Sequence, residues 1–205
     1  DAFLNSVLKM TSLCDTSYQK IYFKNLLALK TLMSFIQESG EYIYTSWYSI
    51  FYILSRINQL KKCSPNLIYN ICPHKKIDKK KFKEYFAYNL KQVEIIDYEK
   101  IYTLTAKYSI ETLKQLVKDL IKVAEEEITM FKDGENRKNK ERFFSFNKLV
   151  YIIDINRERW KNKDNIETYE ITQAFFVKLI SENPLDDILL NKIKDSFKMI
   201  DHSKK

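Results

Sequence analysis

Glycine, proline, cysteine and histidine are all scarce in this sequence. Of 205 residues, two are glycine and three are proline, whereas glycine averages about 7% in globular proteins. Hairpins, β-sandwiches and doubly wound sheets need frequent glycine or proline turns. The scarcity therefore speaks against these folds and predicts an all-α protein. Two glycines are also too few for a glycine-rich phosphate-binding loop.

The few cysteines and histidines stand in no metal-binding or catalytic spacing. Cys14, Cys63 and Cys72 form no CxxC pair, and their odd number is untypical of a disulfide framework. This usage favours a reducing, cytosolic setting. Cys72 lies close to His74, but no third group is available to orient such a couple, and His202 is remote. We predict neither a metal site nor a cofactor.

Long apolar runs are missing as well. No run approaches the ~18 residues that a membrane-spanning helix needs, and the N-terminus lacks the basic-then-apolar layout of a signal peptide. Because the first residue is Asp1 rather than Met, we expect the sequence to be part of a longer chain.

The charge is strongly basic, with a formal net charge of +8. Such a surplus can attract nucleic acid or anionic lipid. Only five of the 35 basic residues are arginine, however, and arginine is the preferred side chain for fork-like contacts to bases and phosphates. We therefore expect a mainly solvated lysine surface and no nucleic-acid partner.

Apolar residues recur at helical spacing through most of the chain. The predicted helices cover residues 1–13, 17–39, 46–60, 97–105, 110–131, 145–159, 168–180 and 184–200, with a further short helix at 82–90. About seven or more helices in pairs, joined by polar connections, predict a right-handed helical-repeat solenoid of the HEAT or armadillo kind.

Single residues predict where several of these helices begin and end. Ser109 is an N-cap residue, Gly40 is a C-terminal stop, and Pro184 suits the first helical position. In the first helix, Phe3, Val7 and Met10 fall on one side. In the helix from 110 the consecutive glutamates are predicted to form a solvated face; they are Glu125, Glu126 and Glu127.

The aromatic stretch GEYIYTSWYSIFYILSRINQL, residues 40–60, fits four roles: a base-stacking surface, a membrane-facing helix, a ligand pocket or a protein core. At 100° per residue its apolar side chains occupy one half of a helix. They are Trp47, Ile50, Phe51, Ile53, Leu54, Ile57 and Leu60. An apolar half this wide is typical of a helix packed between neighbours. The polar half lacks the lysines of a membrane-surface helix, so we predict a core helix.

Two blocks of the sequence resemble one protein family. KNLLALKTLMSFIQESGEYIYTSWYSIFYILSRINQL, residues 24–60, is similar to the segment after the catalytic Sec-seven domain of large ARF guanine-nucleotide exchange factors. These are the trans-Golgi, brefeldin-A-sensitive type. IETLKQLVKDLIKVAEEEI, residues 110–128, and RFFSFNKLVYIIDINRER, residues 142–159, resemble the first homology-downstream-of-Sec-seven region of the same family.

The resemblance implies one α-solenoid over residues 1–205. Residues 1–61 would follow the catalytic domain, 62–96 would be a variable basic insertion, and 97–205 would be the homology-downstream-of-Sec-seven region. The family's catalytic Pro-Gly-Glu loop is absent, since the two Gly-Glu pairs follow Ser39 and Asp133. We therefore predict that this chain is not an enzyme, although the parent protein would have exchange activity.

The family further implies a regulatory role in Golgi vesicle trafficking. Expected partners are a GTP-bound ARF-family small GTPase, other domains of the same exchange factor and an anionic membrane surface, at a cytoplasmic location peripheral to the Golgi. A generic HEAT-type trafficking scaffold without GTPase contact is the alternative. The candidate partner-binding residues are Arg142, Ser145, Lys148, Asn156 and Arg159. Ser145 as a helix cap and Asn156 as a backbone partner are the competing structural roles.

The basic insertion supplies the candidate membrane-binding residues. They are Lys75, Lys76, Lys79, Lys80, Lys81 and Lys83. Each basic side chain close to an anionic surface contributes ~1 kcal/mol to membrane attraction. A solvated lysine-rich loop is the competing interpretation of this run.

Overall fold

The computed structural model describes residues 2–11, 23–62, 97–130, 140–161, 166–184 and 186–201, with scattered positions between 80 and 92. Every regular element in this part of the chain is helical, and no strand occurs in it. The prediction of an all-α protein is confirmed. The eight α-helices are α1 (Ala2–Thr11), α2 (Phe23–Ser39), α3 (Trp47–Lys62), α4 (Glu99–Leu104), α5 (Ile110–Met130), α6 (Phe144–Ile155), α7 (Ile166–Glu182) and α8 (Asp187–Asp201).

The chain divides into two compact units, Asp1–Ile101 and Tyr102–Lys205. They are called the N-terminal unit and the C-terminal unit below. The division into segments 1–61, 62–96 and 97–205 stays a prediction.

In the N-terminal unit α1 packs against α2. The buried side of α1 consists of Leu4, Val7, Leu8 and Thr11. The helix predicted at the start of the chain is confirmed. Phe3 and Met10, on the same side as Val7, are 58% and 59% exposed, whereas the buried positions 4, 7, 8 and 11 follow the i, i+3, i+4, i+7 spacing of a helical stripe. Phe3 instead lies at the edge of the contact, with its ring centroid 5.8 Å from that of Phe35 on α2.

The apolar residues at helical spacing in α2 belong to the core, although Ile21, which continues this pattern in the sequence, lies outside the described residues. The buried side chains include Leu26, Leu29, Leu32, Met33 and Ile36. α2 ends at Ser39, and Gly40 begins a 3-10 helix (Gly40–Tyr42), so the predicted stop at Gly40 is confirmed.

The aromatic stretch forms part of the core, as predicted. The described side chains of its apolar half are all buried: Trp47, Ile50, Phe51, Ile53, Leu54 and Ile57. The Trp47 and Phe51 rings stack with centroids 5.4 Å apart, a geometry that adds to the burial of their area. On the other half, Tyr48 and Tyr52 are half-buried and stack at 6.2 Å.

The C-terminal unit consists of two helical hairpins, α5–α6 and α7–α8. The end of α5 lies against the start of α6, where the Ser145 Oγ donates a hydrogen bond to Glu127 Oε1 at 2.9 Å. The residue after α6, Asn156, contacts Thr105, which precedes α5. α5 and α6 are therefore antiparallel. In the second hairpin the rings of Phe176 on α7 and Phe197 on α8 meet edge to face at 5.3 Å.

The two hairpins stack so that α5 runs parallel to α7 and α6 lies beside α8. Lys114 pairs with Glu167, and Lys178 Nζ lies 2.7 Å from Glu125 Oε1. Both pairs join α5 to α7 with the same separation of 53 residues, which requires the two helices to run in the same direction. Between α6 and α8, Lys192 Nζ donates to Asn147 Oδ1 at 3.0 Å.

These two exposed ion pairs between α5 and α7 shift the pKa of one member each. The hydrogen bond from Lys114 lowers the pKa of Glu167 from its ordinary value of 4.5. The hydrogen bond to Glu125 raises the pKa of Lys178 from its ordinary value of 10.5. In each pair the partner favours the charged form of the shifted group.

Two helix starts in the C-terminal unit test the predicted caps. The backbone N–H of Thr112 donates to Ser109 Oγ at 3.2 Å, so the N-cap at Ser109 is confirmed. Pro184 does not begin the last helix. α8 begins at Asp187, and Asp186 is its N-cap, because Asp186 Oδ1 accepts a hydrogen bond from the Leu189 N–H at 3.1 Å.

Candidate functional site

The predicted partner-binding residues lie in and around α6, beginning with Arg142 immediately before that helix. Arg142 is completely buried. Its Nη1 and Nη2 donate to the two carboxylate oxygens of Asp186 at 2.6 and 2.8 Å, a bidentate pair of the strong, charge-assisted kind. The guanidinium also lies 4.4 Å from the centroid of the Phe143 ring. Arg142 thus joins the start of α6 to the turn between α7 and α8.

Ser145 occupies the first turn of α6 and is also buried. Its backbone N–H and its hydroxyl both donate to the Glu127 carboxylate, at 2.8 and 2.9 Å. Glu127 therefore satisfies an N–H of α6 that has no partner within the helix, and it places negative charge at the helix N-terminus. The prediction of a solvated face is wrong for Glu127, which is 3% exposed, whereas Glu126 is exposed.

Asn156 and Arg159 lie together just beyond α6. The Asn156 Nδ2 donates to Thr105 Oγ1 at 3.2 Å and to the Ile152 carbonyl at 2.9 Å. Arg159 donates from Nη1 to Asn156 Oδ1 at 3.0 Å and from Nη2 to the Tyr108 carbonyl at 2.6 Å. Asn156 is buried and Arg159 is half-buried. This cluster fixes the end of α6 against the backbone that leads into α5.

Lys148 has a different environment from the other four candidates. It is half-buried, and its Nζ lies 5.0 Å from the centroid of the Tyr102 ring and 5.6 Å from that of Phe144. An ammonium over aromatic faces keeps part of its hydration while its stem covers apolar surface. Lys148 therefore keeps part of its side chain accessible while its ammonium contacts aromatic rings.

The five candidates thus divide by accessibility. Arg142, Ser145 and Asn156 are interior residues whose polar groups bind other parts of the C-terminal unit, so they have no surface with which to touch a partner. Lys148 and Arg159 retain accessible atoms. Of the five candidates, only these two have atoms that a partner could reach.

Most of the predicted membrane-binding lysines lie outside the described residues. Those are Lys75, Lys76, Lys79 and Lys83. Lys80 and Lys81 are described, and both are exposed. The cysteines and histidines of the sequence also lie outside the described residues; they are Cys14, Cys63, Cys72, His74 and His202.

The described ranges contain no group of three or more His, Cys, Asp or Glu side chains with metal-binding geometry. Within the same ranges no helix is long and apolar enough to cross a membrane.

The sequence analysis missed two surface grooves on the C-terminal unit. One lies between α7 and α8, has a volume of about 570 Å³, and is lined mainly by apolar side chains with Lys194 and Lys198 at its edge. The other lies between α6 and α8, encloses about 260 Å³, and mixes Asp154, Lys192 and Asp195 with apolar residues. Periodicity within one helix cannot reveal a groove that two helices form together.

No protein-family model, no curated protein and no solved structure matches this chain.

Proposed function

We propose that this chain is a non-catalytic regulatory segment of a large ARF guanine-nucleotide exchange factor, built as a right-handed helical-repeat solenoid of the HEAT or armadillo kind. In this role it responds to GTP-bound ARF at the Golgi membrane and contacts other domains of the same exchange factor. The resemblance of residues 24–60, 110–128 and 142–159 to that family is the origin of the proposal.

The observation that carries the proposal is the structural role of the family-like polar residues at the two ends of α6. Arg142 and Ser145 lie at its start, Asn156 and Arg159 lie just beyond its end, and each makes a hydrogen bond to a residue at least 18 positions away. Three of these bonds hold α5 and α6 together, and the Arg142 bonds join this hairpin to the turn between α7 and α8. These shared structural roles support the resemblance as one of fold.

The stacked hairpins favour a binding role over chemistry. Helix pairs that stack side by side expose continuous lateral surfaces, which proteins of this architecture use for docking. On the C-terminal unit, Lys148 and Arg159 are the family-like polar residues with solvent access. They are the residues to test for contact with a GTPase.

The decisive experiment is co-sedimentation of the 205-residue chain with liposomes that carry GTP-locked ARF, GDP-bound ARF or no protein. We expect the GTP form to retain at least about fivefold more chain than the GDP form, the lower end of typical coupling between two states. Lys148→Glu should reduce this difference, and Lys9→Glu at an exposed position of α1 should not. Equal retention on all three liposomes would sink the GTPase proposal.

A second candidate is a trafficking scaffold that contacts no GTPase. The burial of Arg142, Ser145 and Asn156 favours it, because three of the five expected contact residues are committed to packing. Under this alternative, the chain shows no nucleotide-dependent retention, and Lys148→Glu leaves its liposome binding unchanged.

A further inference from the structure

The groove between α7 and α8 presents apolar side chains that these two helices leave partly uncovered. On α8, Leu190 and Phe197 are half-buried and flank the buried Ile193. On α7, Ile180 lines the other wall and remains 40% exposed. The neighbouring Val177 is 62% exposed, so apolar surface continues beyond the groove.

The charge at the groove has one sign. Lys194 and Lys198 are the charged side chains that line it in the described part of the chain. They are one helical turn apart on α8, and both are exposed. Lys198 Nζ also lies 3.2 Å from Asp195 Oδ1, but both members of that pair are largely exposed. Such surface pairs are weak and exchange readily for a better partner.

We propose that the α7–α8 groove binds an amphipathic helix of a partner protein, with acidic residues beside the apolar side of that helix. The apolar floor would take side chains at i, i+3, i+4 and i+7, which is the usual way in which a helix fills a groove. Acidic residues one turn apart would then face Lys194 and Lys198.

The dimensions of the groove fit about three turns of such a helix. Tyr169 and Ile180 mark the two ends of the α7 wall. Eleven residues of α-helix separate them, a distance of about 16 Å along the axis. Gln173 lies between these ends and offers a hydrogen-bonding amide in the middle of an otherwise apolar wall.

The same features disfavour the other occupants. Two copies of the chain that paired through this groove about a twofold axis would bring like charges together at Lys194 and Lys198, which costs stability. Leu190, Ile193 and Phe197 line a groove between two helices, and a helix fills such a concave surface more completely than a flat bilayer does. The proposal goes beyond the regulatory function above and does not depend on a GTPase.

The test is fluorescence anisotropy of the full chain with labelled synthetic helices of about 18 residues, or five turns. One peptide carries leucine on one face and glutamate elsewhere; its match has lysine in place of glutamate. A third peptide has the same composition as the leucine–glutamate peptide, in an order that leaves no apolar face. The variants are the double reversal Lys194→Glu/Lys198→Glu, the wall variant Ile180→Glu and the distant surface control Lys107→Glu.

We expect the acidic helix to bind at least about tenfold more tightly than the basic and scrambled peptides, with affinity that falls as salt rises. The double reversal should invert this preference, Ile180→Glu should weaken the acidic helix, and Lys107→Glu should change neither. Equal binding of acidic and basic helices would overturn the proposal. So would an equal loss in Lys107→Glu, or self-association of the chain that the double reversal abolishes. No GTPase or lipid is present, so a failure here leaves the liposome result untouched.

Discussion

The interiors of the two units differ in the polar groups that they bury. In the described residues of the N-terminal unit, the buried polar side chains are neutral: Thr11, Asn25, Ser46 and Ser55. In the described residues of the C-terminal unit, four buried side chains are carboxylic or guanidinium groups: Asp119, Glu127, Arg142 and Asp186. This unit also buries neutral polar side chains such as Asn156 and Thr172. The difference therefore lies in how each unit holds its helices in register.

In the N-terminal unit a buried amide ties α1 to α2. Asn25 on α2 donates from Nδ2 to the Met10 carbonyl at 2.7 Å, which satisfies a carbonyl in the last turn of α1. The C-terminal unit uses charge for the same purpose, at Glu127 on the start of α6 and at Asp186 on the start of α8. A buried charge is costly unless its partners are in place, so charged ties disfavour misaligned hairpins more strongly than an amide does.

The largest effect is expected from breaking the Arg142–Asp186 pair. Arg142→Met leaves a carboxylate buried without its counter-charge, which should lower the free energy of unfolding by about 3–5 kcal/mol. Asp186→Asn in the same chain removes that charge and keeps a side chain able to cap α8. We expect the double variant to be more stable than the sum of the single losses predicts. Arg142 Nε lacks a hydrogen-bond partner within the described residues, so the native pair is not fully satisfied either.

Urea unfolding can assign this effect to one unit, because each unit holds one tryptophan. A Trp47→Phe background leaves Trp160 to report on the C-terminal unit, and Trp160→Phe leaves Trp47 to report on the other. The matched control is the exposed pair on α8, in the variants Lys198→Met and Asp195→Asn, where about 0–1 kcal/mol is expected. If Arg142→Met costs no more than Lys198→Met, the contrast between the two interiors fails.

A smaller loss is expected for the neutral tie of the N-terminal unit. Asn25→Ala leaves the Met10 carbonyl without this donor, and the free energy of unfolding should fall by about 1–3 kcal/mol. Trp47 fluorescence during urea unfolding, in the Trp160→Phe background, measures the change. The exposed Asn5 on α1 supplies the control, since Asn5→Ala should stay within about 0.5 kcal/mol of the parent. A loss for Asn25→Ala as large as that for Arg142→Met would remove the distinction between neutral and charged ties.

The smallest effect is expected at the exposed ion pairs between α5 and α7. The pKa of Glu167 is lowered by Lys114, so its contribution to stability is present above its ordinary value of 4.5 and is lost as pH falls through the folded value. The pKa of Lys178 is raised by Glu125, so its contribution is present below 10.5 and is lost as pH rises through the folded value. Together the two pairs support the hairpin stack between these limits.

Side-chain NMR titration measures both shifts directly. Lys114→Met should return the pKa of Glu167 towards 4.5, and Glu125→Gln should return that of Lys178 towards 10.5. Each substitution serves as the control for the other pair. If the pKa of Glu167 and that of Lys178 stayed unchanged in these variants, the ion pairs would not be the cause of the two shifts.

Helix existence was the most predictable property of this chain. In α5 the apolar residues at i, i+3, i+4 and i+7 spacing are all buried: Leu113, Leu116, Val117, Leu120, Ala124 and Ile128. The aromatic helix α3 was equally predictable, because a wide apolar half around Trp47 and Phe51 is typical of a core helix. The cap at Ser109, whose hydroxyl bonds its own helix, was predictable as well.

The prediction for Glu127 failed because its deciding neighbour is distant in sequence. Glu127 looks like one of three solvated glutamates, yet α6 begins beside it. The predicted helix start at Pro184 failed for a local reason, because the N-cap hydrogen bond of Asp186 places the start of α8 at Asp187. In each case a local preference was outweighed by packing or by a more favourable hydrogen bond.

The sequence by itself determined the helical class, most helix boundaries and the apolar stripes, because these depend on residues within a few turns of one another. Tertiary structure alone decided what the polar residues do. Arg142, Ser145 and Asn156 find partners 44, 18 and 51 residues away, and no local pattern encodes such a partner. The α7–α8 groove follows the same rule, since a surface made by two helices exists only once they pack.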